Sequence, residues 1–160
     1  MKKGLLFFHF FILALFSCST IDCPVQNTVY TVYTIGTGET TDTLQDTLYV
    51  WTPRSDGRDT LLNRGTGLTK FNLPISYQHP EDTLIFYIAD TAGYWTLDTV
   101  WIKKDDIPHF ESVDCSPSFF HRLTGVRSTH ERIDTIIINH SSVDYDPSTE
   151  HFHISFKTRS

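Results

Sequence analysis

The stretch TLIFYIADTAGYWTLDTVWIK, residues 83–103, decides the fold. Residues 83–89 form the most continuous apolar strand pattern in the chain, which places them at the centre of a sheet. Thr91-Ala92-Gly93 then turns the chain back. Residues 94–103 return as a second strand, with Trp95, Leu97 and Trp101 on one face and Thr99 between them. Their bulk assigns that face to the core.

The same short-strand grammar runs outward from this pair. Residues 25–35 alternate as a strand. Residues 47–52 form another, stopped by Pro53 and the Ser55-Asp56-Gly57 turn. Further strands are expected at 60–62, 68–75, 110–115 and 133–140, with Pro74 marking an edge or a strand end, and 119–128 reads as another strand or a short irregular segment. Ile136, Ile137 and Ile138 read as buried on both faces, and 103–108 as a charged loop. In the last strand Phe152, Ile154 and Phe156 alternate with His151, His153 and Ser155, which puts the histidines outward. Outside the N-terminus no window shows a helical period. About eight or nine short strands without a helix predict an all-β fold: a single immunoglobulin-like β-sandwich over residues 25–158, with a small β-barrel as the alternative.

Asp-Thr followed by a branched aliphatic recurs at Asp42, Asp46, Asp59, Asp82, Asp98 and Asp134. The spacing is irregular, so it is no repeat period. Asp closes a turn, Thr opens a strand and the aliphatic enters the core. Asp98 and Asp134 fit this explanation least, because they fall in or near strands.

The N-terminus has the layout of a secretory signal: Lys2-Lys3, an apolar run over residues 4–16, then Leu15-Phe16-Ser17-Cys18. That run is too short to cross a bilayer, which takes roughly 20 helical residues. Leu15, Ser17 and Cys18 are placed as in a bacterial lipobox, so residues 1–17 are expected to be a lipoprotein signal peptide. Cys18 is then the lipid acceptor and residues 18–24 a short tether. Ser19 rather than Asp after the cysteine favours the outer membrane. Losing Lys2 and Lys3 reduces 13 basic residues to 11 against 19 acidic ones, a mature charge of −8. A chain of that charge has no footprint for nucleic acid. The phosphate-cradling glycine loops are absent, so no nucleotide site and no cofactor are inferred.

With Cys18 lipidated, Cys23 and Cys115 remain in an oxidising compartment and most simply form a disulfide. Two free thiols or a redox site is the rival reading.

No catalytic constellation emerges. There is no G-x-S-x-G elbow, and an abundance of Ser, His and Asp does not make a triad. His140, His151 and His153 are candidate zinc ligands, three imidazoles that a terminal hairpin could bring together. The loop Asp144-x-Asp146-x-Ser148-x-Glu150 has alternating oxygen donors but lacks the glycine and the twelfth-position Glu of a calcium loop. Trp51, Tyr94, Trp95 and Trp101 could stack on sugar rings if exposed, although most of them fit core positions.

Several segments together resemble a domain-of-unknown-function family of small lipoproteins from Bacteroidota. They are Cys18, Cys23-Pro24, Asn72-Leu73-Pro74-Ile75, Asp98-Thr99-Val100-Trp101-Ile102, Cys115, Thr129-His130-Glu131-Arg132-Ile133-Asp134 and the strand from His151 to Phe156. The family's cysteine at the Cys115 position is usually followed by Gly, where this chain has Ser116. The resemblance implies a lipid-anchored envelope protein with no assigned activity, linked to an outer-membrane β-barrel protein or to barrel-assembly machinery. The leading expectation is therefore a non-enzymatic interaction or accessory subunit, lipid-anchored at the outer membrane. The alternatives are a carbohydrate-binding module in glycan uptake and an envelope hydrolase or metal-dependent enzyme. An exposed aromatic patch would favour the sugar reading, and an exposed edge a protein partner.

Overall fold

The structure, a computed structural model, describes residue 23 and residues 28–38 and 40–158. The expected signal peptide, Cys18 and most of the tether lie outside the described residues. Eleven strands follow one another among those described: β1 (Tyr30–Thr37), β2 (Thr40–Thr41), β3 (Thr47–Arg54), β4 (Gly57–Gly65), β5 (Lys70–Pro74), β6 (Glu81–Ala89), β7 (Trp95–His109), β8 (Ser118–Ser128), β9 (Ile133–Ile138), β10 (Ser142–Val143) and β11 (Phe152–Phe156).

They form two sheets, as the sandwich reading expects, and the sheets do not close into a barrel. One runs β10-β8-β7-β6-β3-β4. The other has β1 at its centre, parallel to β11 on one side and antiparallel to β5 on the other; β9 lies beyond β11, and β2 pairs the end of β1. The 83–103 stretch is the β6–β7 hairpin, and β6 lies inside its sheet between β3 and β7.

Each sheet turns one apolar face inward. Leu48, Val50, Leu84, Phe86, Ile88, Val100 and Ile102 of one meet Tyr33, Phe71, Leu73, Ile133, Phe152 and Ile154 of the other. Tyr33 is the centre of this core. Its ring stacks on Phe71 and Phe152, both at 4.8 Å, and takes Phe86 of the facing sheet edge-on at 6.3 Å. Such aromatic pairs contribute about 0.5–1.5 kcal/mol each beyond area burial.

A buried carboxylate ties the sheets together. Asp98, the fourth residue of β7, is inaccessible to solvent and points inward. Its Oδ1 accepts from the Thr129 hydroxyl and the Glu131 N–H, both at 2.7 Å. Its Oδ2 accepts from the N–H groups of Arg132 (2.7 Å) and Ile133 (2.8 Å). These donors line the β8–β9 connection, where the chain leaves one sheet for the other. Burial pushes the Asp98 pKa up, but the four hydrogen bonds outweigh it and hold the carboxyl below its usual range. Beside it, Arg132 reaches Asp46 at 2.9 Å, ahead of β3. The Asp-Thr-aliphatic positions thus include loop clasps: Asp82 also accepts from the N–H and hydroxyl of Ser76.

Three local expectations are corrected. Residues 103–108 continue β7 as strand, because Lys104 turns inward and its ammonium is satisfied by the His79 carbonyl (2.7 Å) and Asp106 (2.8 Å). Residues 110–115 are not a strand; they lie in the turn required by the antiparallel pairing of His109 with Ser118. Ile137 is half exposed, since β9 is an edge strand with only Ile133 and Ile136 directed fully into the core.

Candidate functional site

Alternation in the six-stranded sheet settles which side chains face out. On β3, Leu48 and Val50 are buried, so Tyr49 and Trp51 point outward. On β6, Leu84, Phe86 and Ile88 are buried, so Ile85 and Tyr87 point outward. On β7, Asp98, Val100 and Ile102 are buried, which turns Trp95, Leu97 and Trp101 outward. The expectation that these tryptophans occupy the core is therefore corrected. They do share a face, as their spacing required, but it is the outer one, because the position opposite them in the alternation belongs to Asp98 and its hydrogen bonds.

Cross-strand register gathers these rings into one patch. Tyr49 lies opposite Tyr87, and Ala89 opposite Trp95. Tyr87 meets Tyr49 edge-on at 5.7 Å, Trp51 at 6.3 Å and Trp95 in a stack at 5.6 Å. Trp95 is 57% exposed, and Tyr94 in the adjoining turn 72%. The Arg58 guanidinium sits over the Trp51 ring at 4.9 Å, and farther along the face Arg127 sits over Trp101 at 3.8 Å. Where β3, β4 and β6 meet, Tyr49, Trp51, Tyr87, Arg58, Thr60 and Asn63 line a shallow groove of about 300 Å³. Its walls are aromatic, and its polar groups belong to Thr60, Asn63, the hydroxyl-bearing Tyr49 and Tyr87, and the Arg58 guanidinium. An apolar surface with a few convergent polar groups is what a small-ligand site requires.

A second concavity, about 790 Å³, opens between the β3–β4 hairpin, the β5–β6 loop and β8. His121 forms part of its wall, and the His121 Nδ1 lies 2.7 Å from the same Asp106 oxygen that accepts from Lys104. Burial pushes the His121 pKa down, so the neutral ring donates from Nδ1. Sequence reasoning missed this Lys104–Asp106–His121 cluster because it took Lys104 and Asp106 for loop residues. Among the described residues no hydroxyl or thiol is bonded to His121. The cluster has the base and orienting acid of a triad without a nucleophile.

The two cysteines meet. Cys23 and Cys115 form a disulfide with Cα atoms 5.5 Å apart, joining positions 92 residues apart.

The chain matches the model of a family of unknown function over residues 47–156, more than half its length. It belongs to that family, DUF6452. The DUF6452 match runs from the first residue of β3 to the last of β11, so it contains the aromatic face, Asp98, His121 and Cys115. No curated protein and no solved structure matches this DUF6452 chain.

The candidate histidines of the DUF6452 domain do different work from that expected. His151 is fully buried rather than outward, and its Nδ1 accepts the Val32 N–H at 3.0 Å, fastening β1 beside β11. His153 is half-buried and bonded through Nδ1 to Glu150 at 3.0 Å. His140 is exposed, its ring 6.3 Å from that of His151. Among the described residues no group of three His, Cys, Asp or Glu side chains is placed to hold a metal ion. The acidic loop folds on itself: Asp146 accepts from the Ser148 N–H and hydroxyl and the Thr149 hydroxyl.

Proposed function

We propose that this DUF6452 chain is a non-enzymatic binding subunit of a Bacteroidota-type cell envelope. Lipid on Cys18 holds it at the outer membrane, and the outer face of its six-stranded sheet is the recognition surface. The observation that carries this reading is the contiguous aromatic patch of Tyr49, Trp51, Tyr87 and Trp95, left outside a sandwich whose core is already filled. Monomeric domains rarely leave such rings together in water without a ligand or partner.

The ligand class that fits best is a glycan. Aromatic faces carry negative potential and attract the polarised C–H groups on one side of a pyranose. Thr60 and Asn63 can donate to and accept from hydroxyls, and Arg58 adds charge-assisted donors. The test is an array of envelope glycans probed with detergent-extracted mature protein. Retention of wild type with loss on Trp51→Ala and on Tyr87→Ala supports the reading. Absence of retention on every glycan removes it.

A protein partner is the second reading, favoured by the nine-residue edge strand β4. An open edge of that length can accept a strand from an outer-membrane β-barrel protein or its assembly machinery. Mild solubilisation and pull-down with wild type and Cys18→Ala tests it, and failure of any membrane protein to co-purify with the wild type eliminates it.

A further inference from the structure

A second exposed apolar feature lies at the far end of β7 from the aromatic patch. The turn joining β7 to β8 carries Phe110, 63% exposed, and Val113, 98% exposed. The Ser112 carbonyl accepts the Cys115 N–H at 3.2 Å, so Val113 rides on a closed turn. Two residues after Val113, Cys115 is buried and joined to Cys23. Cys18 precedes Cys23 by five residues, a length of chain that reaches roughly 17 Å at full extension. β7 is 15 residues long, so Trp95 at its start stands roughly 45 Å along the strand from His109 at strand rise. An acylated Cys18 lies at the bilayer surface. The disulfide therefore brings the β7–β8 turn to that surface and leaves the Trp95 end of the sheet away from it.

We infer that the turn over residues 110–117 is a membrane-contact tip, with Phe110 and Val113 entering the interfacial layer of the lipid surface that anchors the chain. The inference rests on the proposed lipidation of Cys18. Glu111 and Asp114 are exposed beside the two apolar side chains. Their charge is repelled by anionic headgroups, so a zwitterionic surface is the partner that fits. The contact fixes orientation: the domain stands on the turn and offers its aromatic face to one side and outward.

The experiment introduces Val113→Trp and, separately, Phe110→Trp into the full mature protein, reconstituted in zwitterionic phospholipid vesicles with or without brominated acyl chains. Both positions are exposed, so the thermal midpoint is expected to match wild type. The emission added over the wild-type tryptophans should be blue-shifted and largely lost with brominated lipid. The mass of the mature protein, read in parallel, reports whether Cys18 carries acyl chains. An acylated protein whose added tryptophan is neither shifted nor quenched overturns the membrane contact and leaves the lipid anchor standing. A mature protein without acyl mass overturns both.

Discussion

Replacing Asp98 with Asn changes one atom in the clasp between the sheets and should cost a large part of the fold's stability. The carboxylate accepts four hydrogen bonds at 2.7–2.8 Å, two on each oxygen. An asparagine has one carbonyl oxygen, so its NH2 group replaces Oδ1 or Oδ2 and at least one main-chain N–H, that of Glu131 in the milder placement, loses its acceptor. Leaving a buried donor unsatisfied costs about 1–3 kcal/mol. One such donor, with the lost charge assistance on the remaining bonds, gives a loss of about 2–4 kcal/mol against the roughly 5–15 kcal/mol that holds a domain together. The Thr129 hydroxyl accepts the Thr99 N–H at 3.0 Å on one lone pair and can turn to accept an Nδ2–H on the other, which makes the Oδ1 side the milder placement of the amide. The assay is equilibrium urea unfolding with the disulfide intact, with Asp134→Asn as the exposed control. Acid adds a second arm. The Asp98 carboxyl is held below its usual range, so its contribution is present above the unfolded value of about 3.9 and is lost as pH falls through the folded value. Wild type should lose stability below about pH 4, and Asp98→Asn should show a flatter dependence there. A variant within about 0.5 kcal/mol of wild type, the scatter of an ordinary surface substitution, would refute the clasp.

Three further outcomes are expected. Cys23→Ser with Cys115→Ser opens a link between residues 92 apart and should lower stability by about 4–5 kcal/mol in the chain-entropy account, measured by the same unfolding assay under non-reducing conditions. Burial pushes the His151 pKa down, so its contribution is complete above the unfolded value of about 6.5 and declines as pH falls through the folded value. His151→Gln should remove part of the stability lost between pH 7 and pH 5; an unchanged slope sinks the assignment. Arg127→Ala removes the guanidinium over the exposed side of Trp101 and should cost no more than about 1 kcal/mol, while altering tryptophan emission.

Much of the architecture was legible because it depends on period and punctuation. Alternation, turn residues and the absence of a helical period located most strands, and the even pair of cysteines indicated the disulfide. Alternation fixes which residues share a face, though, and not which face is inward. On β7 the choice between Trp95, Leu97 and Trp101 on one side and Asp98, Val100 and Ile102 on the other turned on Asp98. A carboxylate reads as exposed until its donors are known, and those lie 31 to 35 residues downstream in the β8–β9 connection. The same blindness applied to Lys104 and Asp106, whose inward placement depends on His121 and the His79 carbonyl. His151 is the third case: its acceptor role exists only because β1 folds alongside it, 119 residues away in sequence. Buried polar groups are satisfied by distant partners, and for that reason a sequence-local reading picks out Trp51, Trp95 and Trp101 as stacking candidates without their outward orientation, and misses the polar cluster.

The measurement that bears most directly on the central claim is a tryptophan-fluorescence titration of the mature protein with envelope oligosaccharides, because Trp51 and Trp95 lie in the proposed contact surface. A saturable shift in emission that disappears in Tyr87→Ala, with unfolding of that variant unchanged, is the predicted result. No shift with any oligosaccharide, or an equal shift in Tyr87→Ala, would contradict glycan recognition by this face.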